Sequence, residues 1–278
     1  MQKKYALFMA ICIANSAYAG EDKLTLRYEQ LNFSHSKKKD NGQREGLKLS
    51  HKEEKNHYEF LYERTDTKTF QPPLKKDLAV NKYYFKYSRE LDESQSFSLL
   101  YATIDDNIMK ETDGGYIYGL GYSYEELNIK QYISDYKHFN VYQTDLSYGY
   151  EKEYGAWEFH GKVVGKYIHL QNRKSNNFSK NAKEDYATVG LKLHIHYDDY
   201  HFGVGAFMGD RIFAVMNNGF KVQHHAMVFH KTYKCGLGKH YSWGDIKLQY
   251  VYQEATEVPI DNKGVKVQNI IAQIGYKF

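Results

Sequence analysis

The side chains with the most chemistry on offer are imidazoles and ammonium groups at strand-like spacing. His194-x-His196, His201, His224-His225 and His230 crowd one stretch of the chain. Imidazoles that share a face bind transition metals or titrate near neutral pH. His194, His196 and His201 are therefore candidate metal ligands, with Met208, Met216 and Met227 as soft donors if they turn the same way. No carboxylate or cysteine stands among them at an established ligand spacing, so polar lining of a wet wall is the competing expectation. A second group is basic. Lys82, Lys86, Lys130, Lys162, Lys166, Lys192, Lys234 and Lys247 occupy positions between large apolar residues. On one face of an enclosed surface such ammonium groups focus a positive potential.

Elements of period two must position these groups. In Tyr116-Ile117-Tyr118-Gly119-Leu120-Gly121-Tyr122-Ser123-Tyr124 five large residues alternate with others, as on a strand with one apolar face. The pattern recurs from Tyr58/Phe60/Tyr62 to Ile270/Ala272/Ile274/Tyr276/Phe278. It predicts about fourteen strands, with 12 to 16 possible, at 23–34, 45–53, 57–66, 79–90, 94–104, 115–126, 127–134, 139–151, 156–170, 184–197, 199–210, 222–237, 241–254 and 265–278. Composition agrees, because 28 Tyr and 15 Phe in 278 residues suit pleated, half-buried surfaces. A chain 42% hydrophobic and 16% aromatic is too apolar for disorder. After the first twenty positions no apolar run reaches the length that a membrane helix needs.

Met1-Gln2-Lys3-Lys4-Tyr5, an apolar stretch over 6–14 and Ala17-Tyr18-Ala19 predict a signal peptide over 1–19, cleaved after Ala19. Residues 20–278 then form a single domain. Cys12 lies in the leader behind Ile11, where a lipoprotein signal needs a small residue. Cys235 is left alone and cannot form an intramolecular disulfide.

Connections alternate in length along the chain. Tight ones are expected near 54–56, 91–93, 125–126, 151–153, 198–199 and 239–240. Long ones are expected at 34–45, 67–78, 105–114, 171–183 and 255–264, and hold Pro72, Pro73 and Pro259. A soluble sandwich has no reason for this asymmetry, whereas membrane barrels show it routinely, and a closed barrel is the one β solution in lipid. The expected fold is all-β: a transmembrane antiparallel up-and-down β-barrel.

If the large apolar residues face lipid, the alternate set faces the lumen. That set is Lys23, Arg27, Glu29, Lys48, Lys52, Glu59, Glu63, Lys82, Lys86, Lys130, Asp145, Glu158, His160, Lys162, Lys166, Lys192, His194, His196, His201, His230, Lys234, Asp245, Lys247, Gln249, Asn269 and Gln273. Basic members outnumber acidic ones, which favours anions; pairing of opposite charges across strands is the rival expectation. Gly119, Gly121, Gly203 and Gly205 also point inward and either widen the bore or let something pack close. Inward Tyr84 and Tyr132 are placed to stack on sugar rings. The apolar run Arg211-Ile212-Phe213-Ala214-Val215-Met216-Asn217-Asn218-Gly219 ends in a hairpin-type turn, and either extends the barrel or folds inward as a constriction.

With these features the chain resembles Gram-negative outer-membrane β-barrel proteins over its whole mature length, most specifically in the terminal strand ending at Phe278. Within that class it looks most like monomeric substrate-diffusion porins of about 12 to 14 strands. The resemblance implies a cell outer membrane location, passive diffusion of small hydrophilic solutes, no cofactor and no enzymatic activity. It implies as partners outer-membrane lipids, lipopolysaccharide and the barrel assembly machinery, the last through Phe278. Lys37-Lys38-Lys39, Lys75-Lys76, Arg173-Lys174, Lys180 and Lys183 are candidate contacts for lipopolysaccharide phosphates or anionic solutes, and nothing points to nucleic acid. His240-Tyr241-Ser242 is similar in spacing to the His-x-Ser of outer-membrane lipid-A deacylases, but falls in a predicted turn. The rival functions are a closed surface barrel, adhesive or structural, and a metal-uptake channel.

Overall fold

The computed structural model describes residues 20–72, 74–108, 110–171 and 181–278. The predicted signal peptide, Pro73, Arg173, Lys174 and Lys180 lie outside the described residues. Fourteen strands close into one antiparallel barrel: β1 (Glu21–Ser34), β2 (Lys39–Glu53), β3 (Asn56–Thr69), β4 (Leu78–Glu90), β5 (Gln95–Asp106), β6 (Tyr116–Tyr124), β7 (Leu127–Tyr136), β8 (Phe139–Tyr154), β9 (Trp157–Gln171), β10 (Asp185–Tyr197), β11 (Tyr200–Arg211), β14 (Met227–Tyr241), β15 (Gly244–Glu257) and β16 (Asn262–Lys277). Between β11 and β14 lies a separate two-stranded hairpin of β12 (Val215–Met216) and β13 (Lys221–Val222). Closure is made by β1 and β16, paired continuously from Lys23↔Lys277 to Ser34↔Lys266. Every barrel strand thus has two neighbours, and no edge is left with unpaired amides.

Alternation sorts the side chains as expected. Leu26, Tyr118, Leu120, Leu146, Leu191 and Ile274 point outward and are about half exposed, forming the apolar face that a bilayer must cover. At the end that carries Gly20 and Phe278, Trp157 packs on Tyr197 (4.4 Å between centroids), Tyr241 on Trp243 (5.2 Å) and Tyr276 on Phe278 (6.2 Å). Exposed aromatics of this kind form the girdle that marks a membrane interface.

This turn end also carries the short connections. Glu54, Glu125 and Asp198 open two-residue turns with φ of 47°, 49° and 48°, the left-handed geometry that matches strand twist. Two turns differ from expectation: the chain reverses at 155–156 and 242–243, not near 151–153 and 239–240. The charged run Glu151-Lys152-Glu153 continues β8, because a strand end projecting beyond the lipid need not be apolar. At the loop end the expected long connections over 34–45 and 255–264 are mostly strand as well. There β1 reaches Ser34 and β2 starts at Lys39, so the barrel wall is longer at this end than expected.

Inside, charge is paired rather than free along the β1–β4 wall. Glu29, fully buried, accepts from Arg27 Nη2 (2.5 Å), Arg44 Nη1 (2.9 Å) and Asn269 Nδ2 (2.7 Å), with Lys221 Nζ at 3.4 Å. Glu63 lies 3.4 Å from Arg44 and accepts from Lys82 at 3.0 Å. Removing one partner from a buried ionic group leaves the others uncompensated. Glu29→Gln is therefore expected to destabilise the detergent-folded barrel by about 3 kcal/mol in denaturant unfolding; an unchanged midpoint would show that the network contributes nothing.

Candidate functional site: a hairpin inside a basic wall

The apolar run after Arg211 folds inward. Ile212, Phe213, Ala214, Val215 and Val222 are essentially fully buried within the barrel. They meet an apolar patch on the β5–β9 wall at the loop end, where Phe213 lies 5.0 Å from Phe139 and 6.2 Å from Tyr136 between ring centroids. The interior is thus not wet throughout. Leu100, Ile104, Ile117 and Ile168 turn inward here and form a core with the hairpin.

Wall residues hold the hairpin by its backbone. Gln143 donates to the Val215 carbonyl and accepts from the Val215 N–H, both at 2.8 Å. Lys166, paired with Asp145, also donates to the Val215 carbonyl (3.2 Å). Lys82 donates to the Val222 carbonyl (3.2 Å), and Lys130 to Asn218 Oδ1 (3.0 Å). Lys221 joins Glu29. At the tip, Phe220 stands under two ammonium groups, Lys48 at 4.7 Å and Lys86 at 5.6 Å, both paired with Glu59. Its neighbour Gly219 (φ 104°) is pressed on Leu100, where a Cβ would come within 2.8 Å.

Beside the hairpin lies an internal cavity of about 310 Å³. Arg27, Lys48, Arg211, Lys221 and Lys234 line it, together with Gln223, Gln249, Gln253 and Gln273, and among the described residues no carboxylate does. Arg211 is fully buried, bonds Thr232 and sits over the rings of Phe207 and Phe229. Next to it runs a lysine column. Lys162 and Lys192 are direct cross-strand partners, and Gly205 stands between Lys192 and Lys234. Among the described residues no carboxylate comes within ion-pair distance of Lys162, Lys192 or Lys234, whereas most of the wall's other cations have one. These three lysines stand together beside the glutamine-lined cavity.

The expected lumen residues thus divide by role. Arg27, Lys48, Lys82, Lys86 and Lys166 are ion-paired, and Lys130 holds the hairpin. Lys162, Lys192 and Lys234 remain unpaired. Lys247 lies 3.4 Å from Asp245, which also pairs with Lys23. Glu158 and His160 stand at the turn-end mouth, 3.7 Å apart. His194 lies over Gly203. His196 and His201 come together with His240. His230 is different: the bulge at Phe229/Lys231 breaks the alternation, and its ring bonds Asp210 (2.6 Å) and Thr256 (2.9 Å). Tyr84 and Tyr132 are covered, not open to a sugar, and the inward glycines take packed side chains, as Tyr132 over Gly119 shows. Lys39 is buried against Met227 and Phe33. Met208 faces outward, and Ser242 sits in an exposed turn while His240 bonds His201 at 3.0 Å, so no nucleophile-base pair forms.

Arg44, Gln143 and Lys221 escaped the sequence reading. Arg44 falls in a stretch expected to be loop, so the alternation was not carried through it. Arg211 was read only as the first residue of the run whose direction was left open, and Lys221 lies just beyond that run.

No family model and no curated protein matches the chain. Its fold is similar to the outer membrane protein Omp33 of Acinetobacter baumannii (8% identity, 93% of this chain and 99% of that one, TM-score 0.50). It is also similar to a bacterial polysaccharide outer membrane secretin (5% identity, 92% and 98%, TM-score 0.56). Closed barrel, apolar belt and aromatic girdle together make the chain a membrane-spanning barrel of the outer-membrane type.

The hairpin base carries a titration handle. His224 is buried, and burial first, then the cations Lys82, Arg44 and Lys39, hold its pKa well below the usual range. The docked imidazole is neutral, whereas a released one takes up a proton below about pH 6.5. Hairpin docking is therefore expected to weaken as pH falls through that range and to be at full strength above it. Channel opening events in planar bilayers should become more frequent on acidification, and His224→Gln should remove much of that response; a pH-independent trace would contradict this.

Proposed function

We propose that the protein is an outer-membrane channel through which small, hydrophilic, anionic solutes diffuse, with the turn end in the periplasm and the leader removed after Ala19. The observation that carries the reading is the cavity lined by five cations, four glutamines and no carboxylate. The unpaired column Lys162, Lys192 and Lys234 extends the positive surface beside it. Cations replace the counter-ions a solute leaves behind, while amides offer exchangeable hydrogen bonds, and several weak sites in series permit exit. Carboxylate-bearing sugars of small size fit this chemistry. The hairpin narrows the path and sets its size limit. Transport needs no cofactor and proceeds down a gradient.

Liposome swelling tests the reading. Vesicles holding the folded protein are expected to admit a uronate faster than its neutral parent sugar. Lys162→Glu with Lys192→Glu and Lys234→Glu should reverse that order, because these lysines hold no structural ion pair. Lys166 is left alone, since it anchors the hairpin. Equal rates for the two sugars in the native protein would overturn the anionic reading, and no swelling with either would favour a closed surface barrel.

A further inference from the structure

A histidine cluster at the turn-end mouth takes no part in the basic path. His196 of β10 and His201 of β11 are direct cross-strand partners, and His240 of β14 joins them from the next strand. One ligand nitrogen from each lies within 4.8 Å of the others. His201 Nδ1 is 3.0 Å from His240 Nε2, close to the nitrogen separation of about 3.4 Å implied by a tetrahedral ion with bonds of about 2.1 Å. His160 is next in line, its ring 5.3 Å from that of His196.

The wall is shaped to hold this group. His201 is buried with its Nε2 against Gly238, where a Cβ would come within 1.9 Å. His196 and His240 are half-buried and open to the lumen, so an ion can enter by the channel. The nearby cations Lys23 and Lys247 both pair with Asp245, which offsets their charge. An all-imidazole set selects zinc, copper, nickel or cobalt over magnesium and calcium, which prefer oxygen.

We propose that His196, His201 and His240 bind one divalent transition-metal ion at the inner mouth of the barrel, cross-linking three adjacent strands and leaving a coordination position open to the lumen. His194, on the same face one step up β10, is not a ligand. The site does not depend on what the channel transports.

The test is titration of untagged, detergent-folded full-length barrel with Zn²⁺, with Mg²⁺ as the control ion. Expected is one chelator-reversible Zn²⁺ per barrel and no Mg²⁺. His240→Gln and Gly238→Ala should each weaken binding by at least about tenfold, and His194→Gln should leave it unchanged. Gly238→Ala keeps every imidazole and moves only the His201 ring, so it separates geometry from histidine content. Folding of each variant is read by heat-modifiable gel mobility. Should a variant not fold, X-ray absorption of the zinc-loaded native protein decides: a shell of about three imidazoles supports the site. Absence of saturable binding, a shell without imidazoles, or native affinity in both folded variants would overturn it.

Discussion

Closure is the constraint on which the rest depends. A backbone in lipid cannot leave N–H or C=O groups unpaired, so β1 and β16 must meet, and they do so over twelve residue pairs. Fourteen strands then enclose more space than wall side chains fill, since about eight strands already make a packed interior. That space needs an occupant or becomes an open pore. Here the connection between β11 and β14 enters it. Its apolar residues are buried against wall residues at one end of the barrel, and its backbone polar groups are met by Gln143, Lys166 and Lys82.

The same closure explains how charge is distributed. Wall carboxylates are committed near the hairpin, where Glu29, Glu59, Glu63 and Asp145 each neutralise cations that would otherwise repel one another in an enclosed space. Once these are used, Lys162 of β9, Lys192 of β10 and Lys234 of β14 are left without a carboxylate partner among the described residues. Fixing the hairpin thus leaves Lys162, Lys192 and Lys234 beside it without counter-charges.

Much of this was legible in sequence. Period-two alternation located all fourteen barrel strands and assigned Glu29, Glu63, Lys82 and Lys166 to the interior, because one face had to satisfy lipid. Alternation says nothing about where charged strands stop. Glu151-Lys152-Glu153 read as a turn and is strand, and the stretch holding Arg44 read as loop and is strand too. Nor can alternation pass through a bulge, which is why His230 was misplaced. The hairpin's direction was undecidable locally: Ile212-Phe213-Ala214-Val215 is equally consistent with an outward or an inward course, and the apolar patch that receives it comes from distant strands. His240 joined the histidine group only once the β11–β14 register was known.

We propose that the hairpin docked inside the barrel narrows a path for anions. Single-channel current in a planar bilayer under a salt gradient tests it most directly, comparing the native protein with one whose residues 214–223 are replaced by a short Gly-Ser link. A small, anion-selective conductance is expected in the native barrel, and a several-fold larger, less selective one after trimming. A silent native barrel that conducts only when trimmed would make the hairpin a seal, and a reversal potential of cation sign, or currents indifferent to trimming, would overturn the proposal.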